Sequence, residues 1–229
     1  MIDLGVSAYA EALAVQRERN LAVSLGEADE ALLLVEHPPV ITLSHRRGVK
    51  ENVLASPEYL AELGIEVQET DRGGDVTYHG PGQLVAYPIV RLHDHGLNLG
   101  RYMRRLEQAV ISTAAAFNVE GHPEAGATGV WVNMPEGHTA KLCAMGVRIR
   151  KNTSMHGLAL NVTTDLAHFQ TIDPCGLGGR PVTSLFELLG EACPSMDEVK
   201  RMLTQQLAEA IDRANVEDGS ASPPETPAA

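Results

Sequence analysis

Aromatic residues make up only 4% of this 229-residue chain, with a single tryptophan, and cysteines number three. So thin an aromatic supply leaves the core to be built mainly from Leu, Val, Ile and Ala. Cys143, Cys175 and Cys193 are too few and too widely spaced for a disulfide framework. No C-x-x-C pair occurs, and no histidine pair stands at ligand spacing near a cysteine, so no metal site is expected. No apolar run approaches the length of a membrane span. The start, Met1-Ile2-Asp3-Leu4-Gly5, has no basic region leading into a long apolar one, so no secretory signal is expected. A cytoplasmic protein follows as the expectation. Positive charge is scarce too. A net charge of −12 argues against a general nucleic-acid binder, which needs a basic footprint. The basic residues present are nevertheless clustered, at His45-Arg46-Arg47 with Lys50, at Arg101 with Arg104 and Arg105, and at Arg148-Ile149-Arg150-Lys151. Such clusters are either solvated faces or docking patches for an acidic partner.

The length suits one large domain that buries a sizeable core. Helical periodicity runs from Tyr9 to Leu25, with Leu13 and Leu21 on its apolar side, and again from Asn98 to Phe117, with Leu106, Val110 and Ile111. Ala31–Val35, Val40–Leu43, Ile65–Val67, Leu84–Val90 and Val130–Asn133 read as strands. Lys141–Arg150 and Gly157–Val162 read as a hairpin joined by Lys151-Asn152-Thr153-Ser154. Ser56 followed by Pro57 opens a short helix. Ser184 and Ser195, each with a glutamate three residues on, fit capping boxes, the last helix running to about Ala214. Helices and strands mix irregularly and no G-x-G-x-x-G follows a strand, which favours a single α+β domain over a doubly wound nucleotide fold. That domain is expected over residues 1–216. Residues 217–229, rich in Pro, Ala, Ser and acid, are expected as a disordered tail.

The densest chemistry lies in Arg72-Gly73-Gly74-Asp75-Val76-Thr77-Tyr78-His79-Gly80-Pro81-Gly82-Gln83. Four glycines and a proline bar it from the middle of a helix or a central strand, so it is expected as a loop. Its arginine, threonine, tyrosine, histidine and glutamine can all hydrogen-bond a ligand, and the buried strand after it supplies a rigid base.

Cysteine is the candidate nucleophile. Cys193 has acidic neighbours that disfavour a thiolate, and Cys143 alternates within an apolar strand as a small core hydrophobe. Cys175, in the turn-forming Asp173-Pro174-Cys175-Gly176, is open between an accessible thiol and a harmless loop cysteine. A thiolate needs a cation or base, for which Lys141, His79 and His156 are candidates.

Three separated blocks carry a family likeness: Arg72 through His79 and on to Gln83; Lys141-Leu-Cys-Ala-Met-Gly-Val-Arg-Ile-Arg150; and His156-Gly-Leu-Ala-Leu-Asn161, with Asp173-Pro-Cys-Gly176 beyond. In order and spacing the chain resembles the lipoyl(octanoyl) transferase family over roughly residues 5 to 212. The resemblance implies an α+β domain similar to the catalytic domains of biotin and lipoate protein ligases. It implies Cys175 as the acyl-thioester cysteine and Lys141 as the lysine that lowers its pKa. It further implies substrate contacts at Arg72, Gly73, Gly74, Asp75, Val76, Thr77, Tyr78 and His79, at Ala144, Met145 and Gly146, and at Gly157, Leu158 and Ala159.

The reaction implied moves an octanoyl group from octanoyl-acyl carrier protein to the target lysine of apo lipoyl domains, an early step of protein lipoylation and lipoate biosynthesis. Those acceptors are the lipoyl domains of 2-oxoacid dehydrogenase E2 subunits and the glycine cleavage H protein. Thioester exchange is roughly neutral and amide formation downhill, so no cofactor is expected. Leu142, Met145 and Leu158 are candidates for the acyl slot. Arg46, Arg47, Lys50, Arg148, Arg150 and Lys151 are candidates for docking acidic partners. The rivals are an ATP-dependent lipoate or octanoate ligase of the same fold, a thioesterase, and an inactive acyl-binding protein. Retention of both Lys141 and Cys175 argues against the first and the last.

Overall fold

The apolar runs of the middle of the chain pair with one another. In the computed structural model, which describes residues 1–173 and 180–212, strands β1 (Ile2–Val6), β2 (Ala31–Glu36), β6 (Gln83–Ile89), β7 (Gly121–His122), β8 (Val130–Asn133), β9 (Thr139–Arg150) and β10 (Thr153–Asn161) form one sheet. Its order is β1-β2-β6-β10-β9-β8-β7. A three-stranded sheet orders β4 (Glu66–Glu69), β3 (Val40–Leu43) and β5 (Val76–His79). Parallel pairs occur at β1–β2 and β3–β4, and the other pairings are antiparallel. This is the α+β domain expected from the sequence.

Each helix begins where its sequence says it should. Ser56 Oγ accepts from Tyr59 N ahead of α2 (Pro57–Glu62), and Asn98 Oδ1 accepts from Arg101 N ahead of α3 (Leu99–Ala115). Ser184 caps α4 (Leu185–Leu189). Ser195 and Glu198 cap each other at the start of α5 (Met196–Asp212). Helices α3 and α5 cover one face of the large sheet through Leu106, Val110, Leu203 and Leu207, against Leu84, Leu158 and Leu160. On the other face lies α1 (Tyr9–Leu25), whose Ala12 and Val23 meet Leu33, Val85, Tyr87 and Ala159.

Three expectations change. Leu21 does not belong to the buried stripe of α1; it is 49% exposed, while Gln16 and Asn20 are buried. Those polar side chains serve the irregular start of β10. Asn20 Nδ2 donates to the carbonyls of Thr153 and Ser154 at 3.1 Å each, and Gln16 Oε1 accepts from His156 N at 2.8 Å. The hairpin turn is tighter than read: Lys151 and Asn152, at φ 50° and 62°, form it alone, and Thr153 and Ser154 already belong to β10. Val76–His79, expected as loop, is an edge strand of the small sheet paired with β3. Its glycines sit before and after it, and its Val76 and Tyr78 fill a core with Ile41, Leu43 and Phe169. The tail boundary at 216/217 lies outside the described residues.

Pro88 lies inside β6, between β2 and β10, where its missing N–H would ordinarily break a ladder. The β6–β10 register stops at Leu158↔Ala86, before reaching it. Beyond that point Ser154 stands in for the ladder: its Oγ donates to Pro88 O at 2.7 Å and accepts from Val90 N at 2.9 Å. The backbone at His156 adopts a left-handed φ of 57° as the strands part.

Candidate active site

The three sequence blocks converge through backbone, and glycine permits it. Across β9 and β10, Ala144 faces Ala159, Met145 faces Leu158, and Gly146 faces Gly157. The first block docks on this pair, with Gly73 N donating to Val147 O at 2.9 Å. A Cβ at Gly146 would lie 2.5 Å from Gly73 O, and one at Gly157 would lie 2.1 Å from Ala86 O. Neither position has room for any other residue. Arg72 secures the block to β3, its guanidinium donating to Thr42 O at 2.7 Å and Thr42 Oγ1 at 2.9 Å.

Between these elements lies a cavity of about 470 Å³, a typical size for a small-molecule site. Its walls include Arg72 through Thr77, His79, Ala144 through Gly146, and Gly157 through Ala159. Lys141 lines it too. Tyr78 does not. Its ring packs on Phe169 in the small-sheet core and its hydroxyl bonds His168 Nδ1 at 2.8 Å; burial pushes its pKa up to about 12. Cys175 lies outside the described residues.

Lys141 reaches the cavity because β9 is bulged. Val130 of β8 pairs with Cys143, but the next residue, Trp131, pairs with Lys141, so Leu142 is extra. One extra residue reverses the in–out alternation. Leu142 and Cys143 are both fully buried, while Lys141 is half-buried at the cavity wall. Gly129 makes room for the bulge: at φ 127°, a Cβ there would lie 2.4 Å from Cys143 O. The backbone of Lys141 accepts from Thr183 N and donates to Pro181 O, both at 2.9 Å. Its Nζ stands 4.7 Å from the centroid of Trp131, over the ring, and the Arg180 guanidinium carbon stands 3.8 Å from the same centroid. Trp131 Nε1 donates to Ala127 O at 2.8 Å, and Arg180 is held by Glu124 and Thr139.

The described cysteines are poor nucleophiles. Burial pushes the Cys143 thiol far above its ordinary range, and desolvation also raises Cys193. The near flank of Cys175 is anchored at the cavity rim. Asp173 N donates to Asn52 O at 2.8 Å, Asn52 Nδ2 donates to both oxygens of Asp75 at 3.0 Å, and Arg46 stands 3.6 Å from Asp75. Among the other basic candidates, Lys50 pairs with Glu69 and Arg148 with Asp71, at 2.8 and 2.9 Å.

From Thr183, beside Lys141, a polar wall runs toward His156, with charge carried there by Arg72 and, behind His156, by Asp71. Asn161 Nδ2 donates to Thr183 O, its Oδ1 accepts from Gln83 Nε2, and Gln83 Oε1 therefore accepts from His79 Nδ1. That chain fixes the His79 proton on Nδ1. Burial, with neighbouring His37 and Arg72, lowers the His79 pKa to about 3. His37 bonds Ser7 O and the Tyr87 hydroxyl, and burial lowers its pKa as well. His156 Nε2 bonds Asp71 at 2.9 Å, yet desolvation outweighs that carboxylate and the imidazole pKa is lowered. Tyr9 and Tyr87 complete this end. Sequence reasoning missed Tyr9, His37, Tyr87, Trp131 and Arg180 as members of the site. The one available signal was polar aromatic groups in an aromatic-poor chain.

The chain matches the lipoyl protein ligase A/B catalytic domain over residues 8–208. It is 48% identical over 207 residues to an octanoyltransferase of Chloroflexus aurantiacus, covering 90% of this chain and 91% of that protein. It is 44% identical to an octanoyltransferase of Geobacter metallireducens over 210 residues, 92% of each. In fold it is similar to a bipartite lipoate protein ligase from Thermoplasma acidophilum, with TM-score 0.72 and 16% identity over 92% of this chain and 82% of that one. It is also similar to the biotin protein ligase of Aquifex aeolicus, with TM-score 0.56 and 13% identity over 94% and 72%.

Proposed function

This chain belongs to the lipoyl protein ligase A/B catalytic-domain family and acts as an acyltransferase for octanoyl groups in protein lipoylation; we propose that it does so through a Cys175 thioester with Lys141 as the proton carrier. The observation that carries this reading is the bulge that turns Lys141 into the cavity where all three blocks meet. An amine there serves acyl transfer from one thiol to another nucleophile. Burial withdraws Cys143, and desolvation disfavours the thiolate of half-buried Cys193, which favours Cys175 for the role.

The donor is octanoyl-acyl carrier protein. The Cys175 thiolate attacks its thioester carbonyl; a bond forms from Sγ to the acyl carbon, and the pantetheine thiolate leaves. Lys141, charged at rest, gives that thiolate a proton and becomes neutral. The lysine amine of the acceptor then attacks the acyl-enzyme, an amide bond forms, and the Cys175 thiolate departs. Neutral Lys141 takes the proton shed by the new amide nitrogen, which restores the starting state. The acyl chain lies among Met145, Leu158, Val85 and the Tyr87 ring. At ~0.8 kcal/mol per buried methylene, its burial contributes roughly 5 kcal/mol at most. Gly73, Gly146 and Gly157 let the backbones that wall the cavity close on one another. The acceptors are apo lipoyl domains, those of 2-oxoacid dehydrogenase E2 subunits and the glycine cleavage H protein, and the reaction is cytoplasmic. Among the described residues no helix is long and apolar enough to cross a membrane.

Intact mass spectrometry of the protein mixed with octanoyl-acyl carrier protein tests this. An octanoyl adduct should form on the wild type and on Cys143→Ala, be absent in Cys175→Ala, and discharge onto an apo lipoyl domain without ATP. Acylation that appears only with ATP and free octanoate, with no adduct on any variant, would establish the ligase instead.

A further inference from the structure

We propose that Trp131 is a positioning residue that holds the Lys141 ammonium at the reacting end of the cavity. The inference rests on the acid–base role given to Lys141 above. Trp131 is 1% exposed yet lines the cavity, an expensive place for the chain's one indole unless the ring face is used. The backbone pairs Trp131 directly with Lys141 across the bulge, so both side chains rise from adjacent points of the sheet. Three contacts settle the ring. Its N–H is taken by Ala127 O at 2.8 Å, the Arg180 guanidinium stacks at 3.8 Å, and Lys141 Nζ stands 4.7 Å from the centroid. Glu124 neutralises Arg180, with Nη2 to Oε2 at 2.6 Å, so the stacked arginine steadies the indole without adding net charge beside the amine.

A ring face is electron-rich and attracts a cation, most strongly in tryptophan and away from water. It therefore favours the charged amine, the form that must protonate the leaving thiolate. The attraction weakens once the proton has gone, which releases the neutral amine toward the incoming nucleophile. The flexible four-carbon stem of lysine gives the ring something to restrain.

The test is steady-state kinetics with octanoyl-acyl carrier protein on Trp131→Phe and Trp131→Leu, each also combined with Lys141→Ala. The leucine variant should lose roughly 10- to 30-fold in kcat, about 1.4–2 kcal/mol at 1.36 kcal/mol per decade, with donor KM within about twofold. Phenylalanine, which keeps a weaker ring face, should restore most of that rate. In the Lys141→Ala background either change should cost little more, because the ring acts through the amine. The inference is overturned by an unchanged kcat in the folded variants, by KM rising in step with the loss, or by an undiminished loss without Lys141. Thermal melts establish folding, and if the leucine variant does not fold, the phenylalanine variant decides. Should Lys141→Ala itself transfer at the wild-type rate, the acid–base reading falls first and this inference with it. A defective Lys141→Ala beside fully active Trp131 variants removes only this inference.

Discussion

At the end of the cavity near His156, imidazoles are kept neutral; at the end near Lys141, two basic side chains share one aromatic face. The two ends lie along one strand, since Lys141 and Val147 both line the cavity six residues apart, or about 20 Å. At the first end, His37, His79 and His156 are buried, and desolvation dominates even where Asp71 opposes it. At the second, Arg180 and Lys141 meet an aromatic face, and Arg180 also meets a carboxylate. Burial with hydrogen bonds makes an imidazole a fixed dipole, whereas partial exposure over a π-system attracts a cation without removing it from water. One wall of a single pocket thus offers neutral imidazoles around Arg72, and the other offers two cations on one aromatic face.

The heaviest blow to this division would fall where the two ends share a wall. Gly157→Ala puts a methyl 2.1 Å from Ala86 O, and the β6–β10 seam must open to admit it. We expect about 3 kcal/mol of lost stability, read as a fall in denaturant midpoint, together with loss of transfer. A variant that keeps both would show that the seam yields more easily than its geometry indicates.

Acid should act on the histidine end alone, and gradually. Unfolded chains protonate these imidazoles below about pH 6.5, while folded His79 resists until about pH 3. Its contribution to stability is therefore fully present above pH 6.5 and is lost as pH falls through that window. The slope approaches about 1.4 kcal/mol per pH unit for each such histidine. His79→Gln should flatten urea-determined stability against pH by one histidine's share, and an unchanged slope would mean that His79 is not held neutral.

The smallest effect should belong to the rim. Arg46 lines the mouth with its side chain 66% exposed, its charge partly matched by Asp75. Arg46→Glu should slow transfer from acyl carrier protein a few-fold and flatten its dependence on salt, leaving a small octanoyl thioester unaffected. Equal losses on both donors would remove Arg46 from the docking surface.

The parts of this arrangement that a linear reading captured are those written locally. Helix starts at Ser56, Asn98, Ser184 and Ser195 follow from a residue and its neighbours three positions on, and all four hold. The first block was legible from its glycines and polar side chains, and the other two through the family resemblance that all three carry. What escaped was set by partners distant in the chain. The bulge at Leu142 depends on β8 running alongside, and Gln16 and Asn20 are buried only because β10 arrives with unpaired backbone groups. Val76–His79 read as loop from its flanking glycines, yet β3 recruits it as an edge strand. Trp131 read as one more residue of a short strand, and nothing near it in sequence announces Arg180.

That lone indole also makes the protein its own spectroscopic instrument. Tryptophan emission from this chain has a single origin, set in the cavity wall against two basic side chains. Any change in brightness or colour as an acyl group arrives reports on the Lys141 end of the cavity alone. Turnover can be followed in a stopped-flow cell without a label, and the proposed acyl-enzyme can be sought by its timing rather than by trapping.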